Sequence, residues 1–345
     1  MSQQTVSVIV PVYNGGESFR QCLSSLAQTN PQPHEIIVVA DGDTDGSRDV
    51  ARATGVRLIV RDTPGGPALA RNLGANAACG TLLYFVDADV TLPSDAIGQV
   101  MAAFTAEPEL SALIGSYDDA PGDAAFLSQY KNLLHHYVHQ RGHEQAWTFW
   151  GACGAIRRED FIAVGGFDEG YNKPSIEDIE LGARLVQRGH RIRLLKALQV
   201  KHLKRWTATS LLRTDFTQRA LPWTALLLKS KHMPNDLNLG LTSRLSVICA
   251  HGLVGALLIS LIQPRALLLA AVQALGLTML NFPLYRFFAS KRGPWFALRS
   301  MPWHWLYYWY GGLAFAIGFA RHHLGDSSAE TRVSTTPTDD ISHHI

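Results

Sequence analysis

An α/β fold with a mainly parallel sheet, followed by a C-terminal membrane region, is the architecture that the sequence predicts. Residues 6–200 alternate short apolar runs with stretches of helical periodicity, which is the pattern of strands joined by crossover helices. Further along the chain, the windows 245–263, 266–284 and 302–320 contain no Asp, Glu, Lys or Arg, although charged residues make up 17% of the sequence. Because a charge is costly at the centre of a bilayer, these windows are predicted to span a membrane.

The N-terminal elements begin with an apolar strand, Val6 to Val12, and a turn at Gly15-Gly16. The elements predicted after them are a helix over 18–27, a strand over 35–40, a helix over 45–53, a strand over 56–61, a helix over 68–78 and a strand over 81–86. Strands separated by helices of this length need right-handed crossovers and pair in parallel. Ligands of such sheets bind at the carboxyl ends of the strands.

Polar and flexible residues follow the predicted strands at the points where the strands end. They are Pro11, Tyr13 and Asn14 after the first strand, Asp41 to Ser47 after the second, Gly65-Gly66 after the third and Asp87-Ala88-Asp89 after the fourth. Alternate residues of a strand share a face, so Asp-x-Asp can direct two carboxylates at one hard cation, which in turn can bind a diphosphate. Asp43 and Asp45 also fit caps of the next helix, and Gly46 and Gly65 fit turns.

A second acidic pair, Glu177-Asp178, opens a later helical stretch. A carboxylate there would be free to accept a proton from an attacking hydroxyl. Together, the two acidic segments suggest group transfer from a nucleotide-diphosphate donor. Residues 175–178 also match a capping box with Ser175 as the N-cap, and Asp178 can serve both roles only if it keeps a free oxygen.

The three uncharged windows are each about as long as a bilayer core requires. Only Pro264 and Arg265 separate the first two, which indicates a tight helical hairpin, and Trp and Tyr crowd residues 303–310 as they do at a headgroup boundary. A buried helical bundle is the alternative, and it is disfavoured because the windows lie together at the C-terminal end. The polar exceptions within them are His251, Gln273, Asn281 and His304.

Basic residues set the predicted orientation of these spans. They precede the first span or lie between the second and third, namely Lys229, Lys231, Arg244, Arg286, Lys291, Arg292 and Arg299. The hairpin turn carries only Arg265. By the positive-inside rule, the N-terminal domain is expected on the cytoplasmic face, of the plasma or inner membrane in a bacterium.

Composition argues against several other classes of protein. A net charge of +2, without a block of Lys and Arg interleaved with aromatics, argues against nucleic-acid binding. Residues 1–5 are polar and the apolar run after them is too short for a signal peptide, so none is expected. The four cysteines have neither metal-ligand nor disulfide spacing, which fits a reducing compartment.

The ordered series of motifs resembles that of membrane-bound family 2 glycosyltransferases, which have the GT-A fold. The similar segments are Val6 to Asn14, Val38 to Ser47, Ala70 to Gly74, Asp87-Ala88-Asp89, Gly165 to Glu169 and Glu177 to Leu181, within roughly residues 5–206. Ala40 and Asp43 depart from the family's pattern, which often has Asp and Ser there. The resemblance implies inverting transfer of a sugar from a nucleotide-diphosphate sugar to an acceptor, with Mg²⁺ or Mn²⁺ as cofactor.

The same resemblance implies roles for individual residues. Donor contacts are implied for Pro11, Tyr13, Asn14, Asp41, Arg71 and Asp87, with Tyr13, Asp41 and Arg71 at the nucleobase and ribose. Asp89 would hold the metal, and Asp178 would be the general base, with burial beside Glu177 raising its pKa toward the operating pH. A cation offsets charge on the departing diphosphate, while the carboxylate activates the acceptor oxygen.

The segment His202 to Trp206 resembles the Gln-x-x-Arg-Trp motif of membrane glycosyltransferases that make polysaccharides or glycolipids, with His in the first place. Arg205 would pair with the donor diphosphate, and Trp206, together with His202, would contact the acceptor. The alternative is an interfacial Trp beside a phosphate-seeking Arg at the membrane surface. A lipid-linked or growing-glycan acceptor is therefore expected, and the number of spans favours transfer of one sugar to a lipid.

The expected divisions of the chain are a GT-A domain over 1–206, interfacial helices over 207–243 interrupted at Pro222, a transmembrane region over 244–321 and a disordered tail over 322–345. Two rival functions remain open. The first is a catalytically degenerate domain that acts as a membrane scaffold or subunit, which variants of Asp89 and Asp178 would distinguish. The second is a transporter whose path the polar exceptions would line, and spans without any acidic or basic residue argue against it.

Overall fold

The computed structural model describes residues 4–230 and 240–324 of the chain, and these form a mixed α/β sheet with flanking helices and a C-terminal group of helices. The strands are β1 Val6–Val12, β2 Glu35–Asp41, β3 Arg57–Arg61, β4 Leu82–Val86, β5 Val90–Thr91, β6 Leu110–Tyr117, β7 Gln145–Ala146, β8 Cys153–Arg157 and β9 Arg191–His202. The helices before the C-terminal group are α1 Gly16–Ala27, α2 Ser47–Ala53, α3 Pro67–Ala77, α4 Ala96–Ala106, α5 Phe126–Arg141, α6 Arg158–Ala163 and α7 Glu177–Gln187.

The C-terminal half of the chain is helical after β9. Its elements are α8 Ala208–Arg213, a π-helical segment Thr214–Ala220, α9 Leu221–Ser230, α10 Leu241–Ser260, α11 Ala266–Leu280, α12 Phe282–Arg292 and α13 Pro294–His323. The end of α13 includes residues 322 and 323, which the sequence assigned to the tail. The rest of the predicted tail, residues 325–345, lies outside the described residues, as does Lys231.

The sheet has the strand order β3-β2-β1-β4-β8-β6-β9-β5, with β7 paired to β9. The first four strands are parallel, as predicted from the alternation of strands and helices. β8 then runs antiparallel to both β4 and β6, so the sheet as a whole is mixed rather than mainly parallel. The carboxyl ends of β1, β2, β3 and β4 lie along one edge, where the polar residues of the sequence motifs follow them.

Both faces of the sheet are covered by apolar packing. Val8 and Val10 of β1 face a cluster that includes Phe19 of α1, whereas Ile9 faces a second cluster with Phe85 of β4. Successive strand residues point to opposite faces, so a continuous apolar run such as β1 fits a strand buried on both sides. These clusters fix the strand ends rigidly enough to hold a site at the edge of the sheet.

Helix α2 begins two residues later than predicted because the acidic residues before it bond to its first turn. Asp45 Oδ1 accepts a hydrogen bond from the Ser47 N–H at 3.0 Å, and Asp43 Oδ2 accepts one from the Arg48 N–H at 3.1 Å. Gly46 occupies the N-cap position itself, so the two carboxylates support the first turn from outside that position. Each carboxylate satisfies an amide that the first turn of a helix leaves unpaired.

The capping box predicted at Ser175 is wrong. Helix α7 begins at Glu177 with Ile176 as N-cap and has no side-chain cap. The Ser175 hydroxyl instead donates to the Gln218 carbonyl oxygen at 3.0 Å, and its N–H donates to Glu177 Oε2 at 2.9 Å. The Ser175 hydroxyl thus forms a tertiary hydrogen bond instead of the helix cap that the local sequence pattern predicted.

The predicted interruption at Pro222 takes the form of a π-helical segment immediately before it. A proline removes one main-chain N–H, and its ring crowds the carbonyl four residues back, which here belongs to Gln218. The wider π-helical turn accommodates that ring, and the freed Gln218 carbonyl accepts the Ser175 hydroxyl. Pro222 therefore joins this segment to the loop that precedes α7.

The three predicted membrane spans stay a prediction, and the lengths and composition of the described helices support fewer of them. Within residues 4–230 and 240–324, only α10 is by itself long and apolar enough to cross a bilayer, and α11 with α12 qualifies only as one span bent by 64°. The break falls at Asn281, whose Nδ2 donates to Ser246 Oγ at 3.0 Å. Helix α13 carries Arg299 within it and is less apolar. The structure thus offers one span, or two, in place of three.

The α10–α11 hairpin is confirmed, and its outer surface is strongly apolar. Ile262 at the turn is 91% exposed and Leu261 is 82% exposed. Further exposed apolar side chains on the same two helices are Ile248, Leu257, Leu258, Ile259, Leu267, Leu268, Leu269, Val272, Leu275 and Met279. An apolar surface of this extent is unusual for a protein surrounded by water and is typical of a contact with lipid or protein.

Gly182 of α7 should tolerate no larger side chain, because a Cβ atom there would lie 2.1 Å from the Phe149 nitrogen and 2.5 Å from the Thr148 carbonyl carbon. Both atoms belong to the main chain, so Gly182→Ala forces α7 away from its neighbour. We expect a loss of stability of about 1–3 kcal/mol. Thermal unfolding of the full chain in detergent checks this, with Gly311→Ala as control because nothing lies within 4 Å of its added Cβ. Equal Tm values for the two variants would contradict the packing described.

Candidate active site

A buried arginine joins the two acidic segments that the sequence singled out. Arg71, on α3, contacts Asp87 Oδ1 through Nη2 at 2.7 Å and Glu177 Oε1 through Nη1 at 2.8 Å. Only 5% of the Arg71 side chain is exposed. Although burial alone lowers the pKa of Arg71, the charges of Asp87 and Glu177 raise it above its usual value. The end of β4 and the start of α7 are thus held on either side of one permanent cation.

Gly151 makes room for this arrangement. A Cβ atom on Gly151 would lie 2.9 Å from Arg71 Cζ, and the Gly151 N–H donates to Asp178 Oδ2 at 3.0 Å. Only a glycine lets the main chain approach the guanidinium so closely while its amide reaches the carboxylate. The main chain at Gly151 therefore contacts the predicted base directly.

Asp178 is partly exposed and is oriented by two main-chain amides. Its Oδ2 accepts from Gly151, and its Oδ1 accepts from the Ile179 N–H at 2.8 Å. Burial, followed by the negative charge of Glu177, raises the pKa of Asp178 to about 6. This agrees with the expectation for a general base. Glu177 itself is occupied by Arg71 and by the Ser175 amide, so Asp178 is the carboxylate with free lone pairs.

Asp89 lies beside His202 because of strand pairing. β5 pairs antiparallel with β9 so that Val90 is opposite His202, and this register places the His202 Nε2 atom 3.6 Å from Asp89 Oδ2. The His202 ring stacks on Tyr117 with the ring centroids 4.2 Å apart. Burial raises the pKa of Asp89, but its interaction with the nearby His202, followed by the charge of Lys204, outweighs burial and leaves the pKa below its usual value.

The two carboxylates of the Asp-x-Asp segment therefore have different partners. Asp87 faces Arg71, and Asp89, whose side chain is 34% exposed, faces His202. Within the described part of the chain, no group of three or more His, Cys, Asp or Glu side chains is arranged to hold a metal ion. One carboxylate oxygen and one imidazole nitrogen fit a divalent cation that takes its remaining ligands from a diphosphate and water.

The predicted donor residues divide into two groups. Asp41 is buried and accepts hydrogen bonds from the Gly65 and Gly66 amides at 2.8–3.0 Å, while Arg61 Nε donates to it at 2.9 Å. Tyr13, after β1, is 59% exposed at the same edge of the sheet. Arg71 does not join them at a nucleobase position, because its ion pairs lie with the two acidic segments.

The remaining residues of the first strand support this edge of the sheet. Pro11 lies within β1 opposite Val39 of β2. Asn14 has a left-handed backbone conformation with φ of 52°, and its Oδ1 accepts the Thr44 N–H at 2.8 Å. Asn14 thus connects the loop after β1 to the loop after β2, and the two loops are held side by side.

The structure corrects the role predicted for Trp206. Its side chain is 5% exposed and packs in a cluster with Tyr130 and Phe288, so its ring is not open to stack on an acceptor sugar. Its main-chain N–H donates to Ser128 Oγ at 2.8 Å. Trp206 thus joins the sheet domain to α12. His202, predicted with it on the acceptor side, lies instead beside Asp89.

Arg205 is exposed and forms no hydrogen bond or ion pair with the residues that the structure describes. Two further residues that the sequence did not single out lie near Asp89 or Asp178, and we refer to the surface between these two carboxylates as the cleft. Tyr117 ends β6 and stacks on His202, and Arg219 lies in the π-helical segment near Asp178. Only the position of Tyr117 at the carboxyl end of a strand could have indicated from the sequence that it belongs to the site. Nothing local in the sequence marks Arg219.

The sheet order, the acidic edge and the helix that carries Asp178 define a GT-A type nucleotide-sugar transferase fold. A solved mannosyltransferase from Pyrobaculum calidifontis, in complex with GDP-Man and Mn²⁺, has the same fold over 92% of this chain and 88% of its own, with a TM-score of 0.59 and 19% identity. The family model described as glycosyl transferase family 2 matches residues 7–165, and one described as the N-terminal domain of galactosyltransferase matches residues 132–207. Residues 7–165, a little under half of the chain, are thus similar to the family 2 glycosyl transferases.

Curated relatives match parts of the chain. A validoxylamine A glucosyltransferase from Streptomyces hygroscopicus subsp. limoneus is 31% identical over 218 residues, which cover 53% of this chain and 48% of that protein. A PGL/p-HBAD biosynthesis glycosyltransferase from Mycobacterium bovis is 37% identical over 120 residues, which cover 33% of this chain and 46% of that protein. The chain spans about half the length of the curated relatives it matches, as the 48% coverage shows.

Removal of the Arg71 side chain should destabilise the whole domain. Arg71→Ala leaves Glu177 buried without its partner, and breaking a buried ion pair from one side costs roughly 3–5 kcal/mol. Urea unfolding of the full chain in detergent measures this loss. The control is Arg52→Ala, which breaks an exposed ion pair with Asp49 and should cost about 1 kcal/mol or less. A similar small loss in both variants would show that Arg71 does not hold the acidic segments together.

Proposed function

We propose that this chain is an inverting glycosyltransferase that moves a sugar from a nucleotide-diphosphate sugar to a membrane-associated acceptor, with Mg²⁺ or Mn²⁺ at Asp89 and Asp178 as general base. The observation that carries this proposal is the convergence of the Asp87–Asp89 segment and Asp178 around Arg71. It brings the carboxylate that we propose as metal ligand and a carboxylate of raised pKa to the same edge of the sheet. Group transfer of this kind needs both, on opposite faces of the sugar.

The donor side of the proposal rests on Asp89 and His202. These side chains would hold the cation, and Asp41, Tyr13 and the loop residues Pro11 and Asn14 form the edge where a nucleoside would bind. The bound cation would offset the charge that builds on the departing diphosphate. The Mn²⁺ and GDP-Man bound by the Pyrobaculum mannosyltransferase support this use of the fold. Asp87 would act through Arg71, which fixes its carboxylate at the end of β4.

The acceptor side rests on Asp178. Its two oxygens each accept one amide hydrogen bond, so each keeps a lone pair for the acceptor hydroxyl. The acceptor oxygen attacks the anomeric carbon as its proton passes to Asp178, the bond to the diphosphate breaks, and the configuration at that carbon inverts. A catalytically degenerate scaffold, the rival interpretation, would have no use for a carboxylate whose pKa is raised to about 6 and whose lone pairs face the cleft.

A lipid-linked acceptor is supported by the C-terminal helices. The α10–α11 hairpin carries the exposed apolar surface described above, and α10 is long enough to cross a bilayer. Helix α12 packs on α5 of the sheet domain through Phe288 and Tyr130, which keeps the cleft near the membrane surface. The glycosyltransferase domain would lie on the cytoplasmic face, next to the basic residues of α12 and of the start of α13. A growing glycan is the other acceptor compatible with this placement.

Loss of the Asp89 carboxylate should remove metal-dependent nucleotide binding. Asp89→Ala leaves His202 as the only donor at that point, and we expect the Mn²⁺-dependent affinity for UDP and GDP to fall by at least roughly tenfold. Calorimetric titration of the full chain, with and without Mn²⁺, checks this. Glu109→Ala, which removes an exposed carboxylate far from the cleft, should bind as the unchanged protein does. Retention of Mn²⁺-dependent binding in Asp89→Ala would exclude Asp89 as the metal ligand.

Transfer activity should depend on Asp178 and on its deprotonated form. Asp178→Asn should lower the rate by roughly 10²–10⁴-fold while nucleotide binding is retained. In the unchanged protein, kcat/KM should be level above pH about 6 and fall about tenfold per pH unit below it, because the protonated carboxyl cannot accept a proton.

The assay uses membranes, radiolabelled nucleotide sugars and extraction of labelled lipid. Glu159→Gln, an exposed carboxylate on α6, is the control and should match the unchanged protein. The scaffold interpretation predicts that Asp178→Asn leaves the cellular phenotype intact. A label found only in water-soluble glycan would contradict the lipid acceptor while leaving the transferase assignment standing.

A further inference from the structure

The π-helical segment Thr214–Ala220 lies against the loop that leads into the predicted base. The Gln218 carbonyl accepts the Ser175 hydroxyl at 3.0 Å, and Ser175 is three residues before Asp178. Pro222 has no N–H to donate to the Gln218 carbonyl, and the Ser175 hydroxyl donates to that oxygen instead. The next residue, Arg219, is thereby carried to the cleft beside Asp178.

The segment is also fixed at its other end. Asp215, which is 4% exposed, receives Lys131 Nζ at 2.6 and 2.7 Å from α5 and the Tyr310 hydroxyl at 2.7 Å from α13. Three separate parts of the fold therefore hold the seven residues in place. Tertiary contacts therefore fix the position of this segment relative to the cleft.

Arg219 itself has no structural partner to explain it. Its side chain is exposed toward the cleft and forms no hydrogen bond or ion pair within the described ranges. The nearest acid in its own segment, Asp215, already receives three hydrogen bonds from Lys131 and Tyr310. An unpaired guanidinium held rigidly beside a cleft is available to a ligand.

The charge of Arg219 acts on the groups that surround it. Although desolvation lowers the pKa of Arg219, the negative charge of Asp215, followed by those of Tyr117, Asp178 and Glu177, raises it above its usual value. In turn, Arg219 opposes the rise in the pKa of Asp178, a rise that the base needs. Without a ligand, the charge of Arg219 therefore makes Asp178 a weaker base. The arrangement becomes favourable if the substrate brings a negative charge that neutralises Arg219.

Tyr117 shows on which side of the cleft that charge would lie. Its ring stacks on His202, which is beside Asp89, and its hydroxyl also lies within electrostatic range of Arg219 and Asp178. Tyr117 thus lies near both Arg219 and the proposed cation site at Asp89 and His202. Other charged groups around Arg219 are Lys131 and Asp215, which are paired with each other.

We propose that Arg219 is a substrate-binding residue that pairs with a phosphate group in the cleft next to Asp178. The planar guanidinium donates two parallel hydrogen bonds to phosphate oxygens, which a lysine cannot reproduce. The phosphate belongs either to the donor's diphosphate or to a phosphorylated lipid acceptor, and both present the same oxygens. This inference rests on the proposed function, because it takes Asp178 as the base of the same cleft. It also assigns Arg219, rather than the exposed Arg205 alone, to anion recognition.

The test compares Arg219→Gln and Arg219→Lys with the unchanged full chain in detergent. Arg213→Gln is the matched control, because Arg213 is an exposed arginine just before the same segment. The probes are UDP and GDP with Mn²⁺ for the donor's diphosphate, and decyl phosphate for a lipid phosphate, with decanol as the uncharged comparison. Binding is measured by calorimetry, and thermal unfolding confirms that each variant is folded.

We expect Arg219→Gln to weaken binding of at least one phosphate probe by roughly 10- to 100-fold, and Arg219→Lys to give an intermediate affinity. Arg213→Gln and the decanol affinity should not change. Weaker binding of UDP and GDP assigns Arg219 to the donor, and weaker binding of decyl phosphate alone assigns it to a phosphorylated acceptor. Two results together would overturn the proposal. The affinities of Arg219→Gln for UDP and GDP would lie within about threefold of those of the unchanged protein. Binding of decyl phosphate would be unaffected by the substitution, or absent in both proteins.

This result is independent of the metal assignment. If Asp89→Ala keeps Mn²⁺-dependent nucleotide binding, the proposed cation site fails while the phosphate probes still report on Arg219. If Asp89→Ala loses that binding and Arg219→Gln keeps it for every probe, the proposed function stands and only the role of Arg219 fails.

Discussion

The ion pairs of Arg71 are the interaction on which the rest of the site depends. Asp87 ends a central strand and Glu177 begins a helix, and the two are 90 residues apart in sequence. Without a cation between them, two carboxylates this close would repel each other and the cleft would open. A fixed guanidinium lets the sheet edge and α7 approach, with the main chain at Gly151 close against it. The same neighbourhood leaves Asp178 with one like-charged neighbour and a raised pKa, which suits proton acceptance. The guanidinium therefore sets the geometry, while burial and the charge of Glu177 raise the pKa of Asp178 against the opposing charge of Arg71.

The strands of the sheet and its functional edge could be predicted from the sequence, because they depend on local patterns. Apolar runs such as 6–12 and 82–86 specify strands buried on both faces, and turn residues after them mark the functional edge. What failed depended on contacts between distant segments. Ser175 looked like a helix cap but bonds to residue 218, and Trp206 looked like a sugar platform but packs on α12. The spacing of residues in the sequence does not show which distant residues Ser175 and Trp206 contact, and these contacts decide their roles.

The membrane region illustrates the same limit in another way. The absence of charge correctly located helices in all three windows, yet composition alone did not reveal the break at Asn281, where a side-chain amide bonds to Ser246 and receives the Tyr308 hydroxyl. These polar residues are satisfied among helices, so they hold the bundle together and do not form the aqueous path that a transporter needs. The number of spans is decided by such tertiary contacts rather than by hydropathy.

The link between Asp215, Lys131 and Tyr310 has a consequence for how the molecule meets its acceptor. It ties α5 of the sheet domain, the π-helical segment and α13 to a single buried carboxylate. If the hairpin is embedded in a bilayer, as we propose, this tie would set the height of Asp178 above the lipid. Substrates that diffuse laterally in the leaflet would then be selected by the distance from their headgroup to the reacting hydroxyl, and a longer or shorter spacer would miss the base altogether.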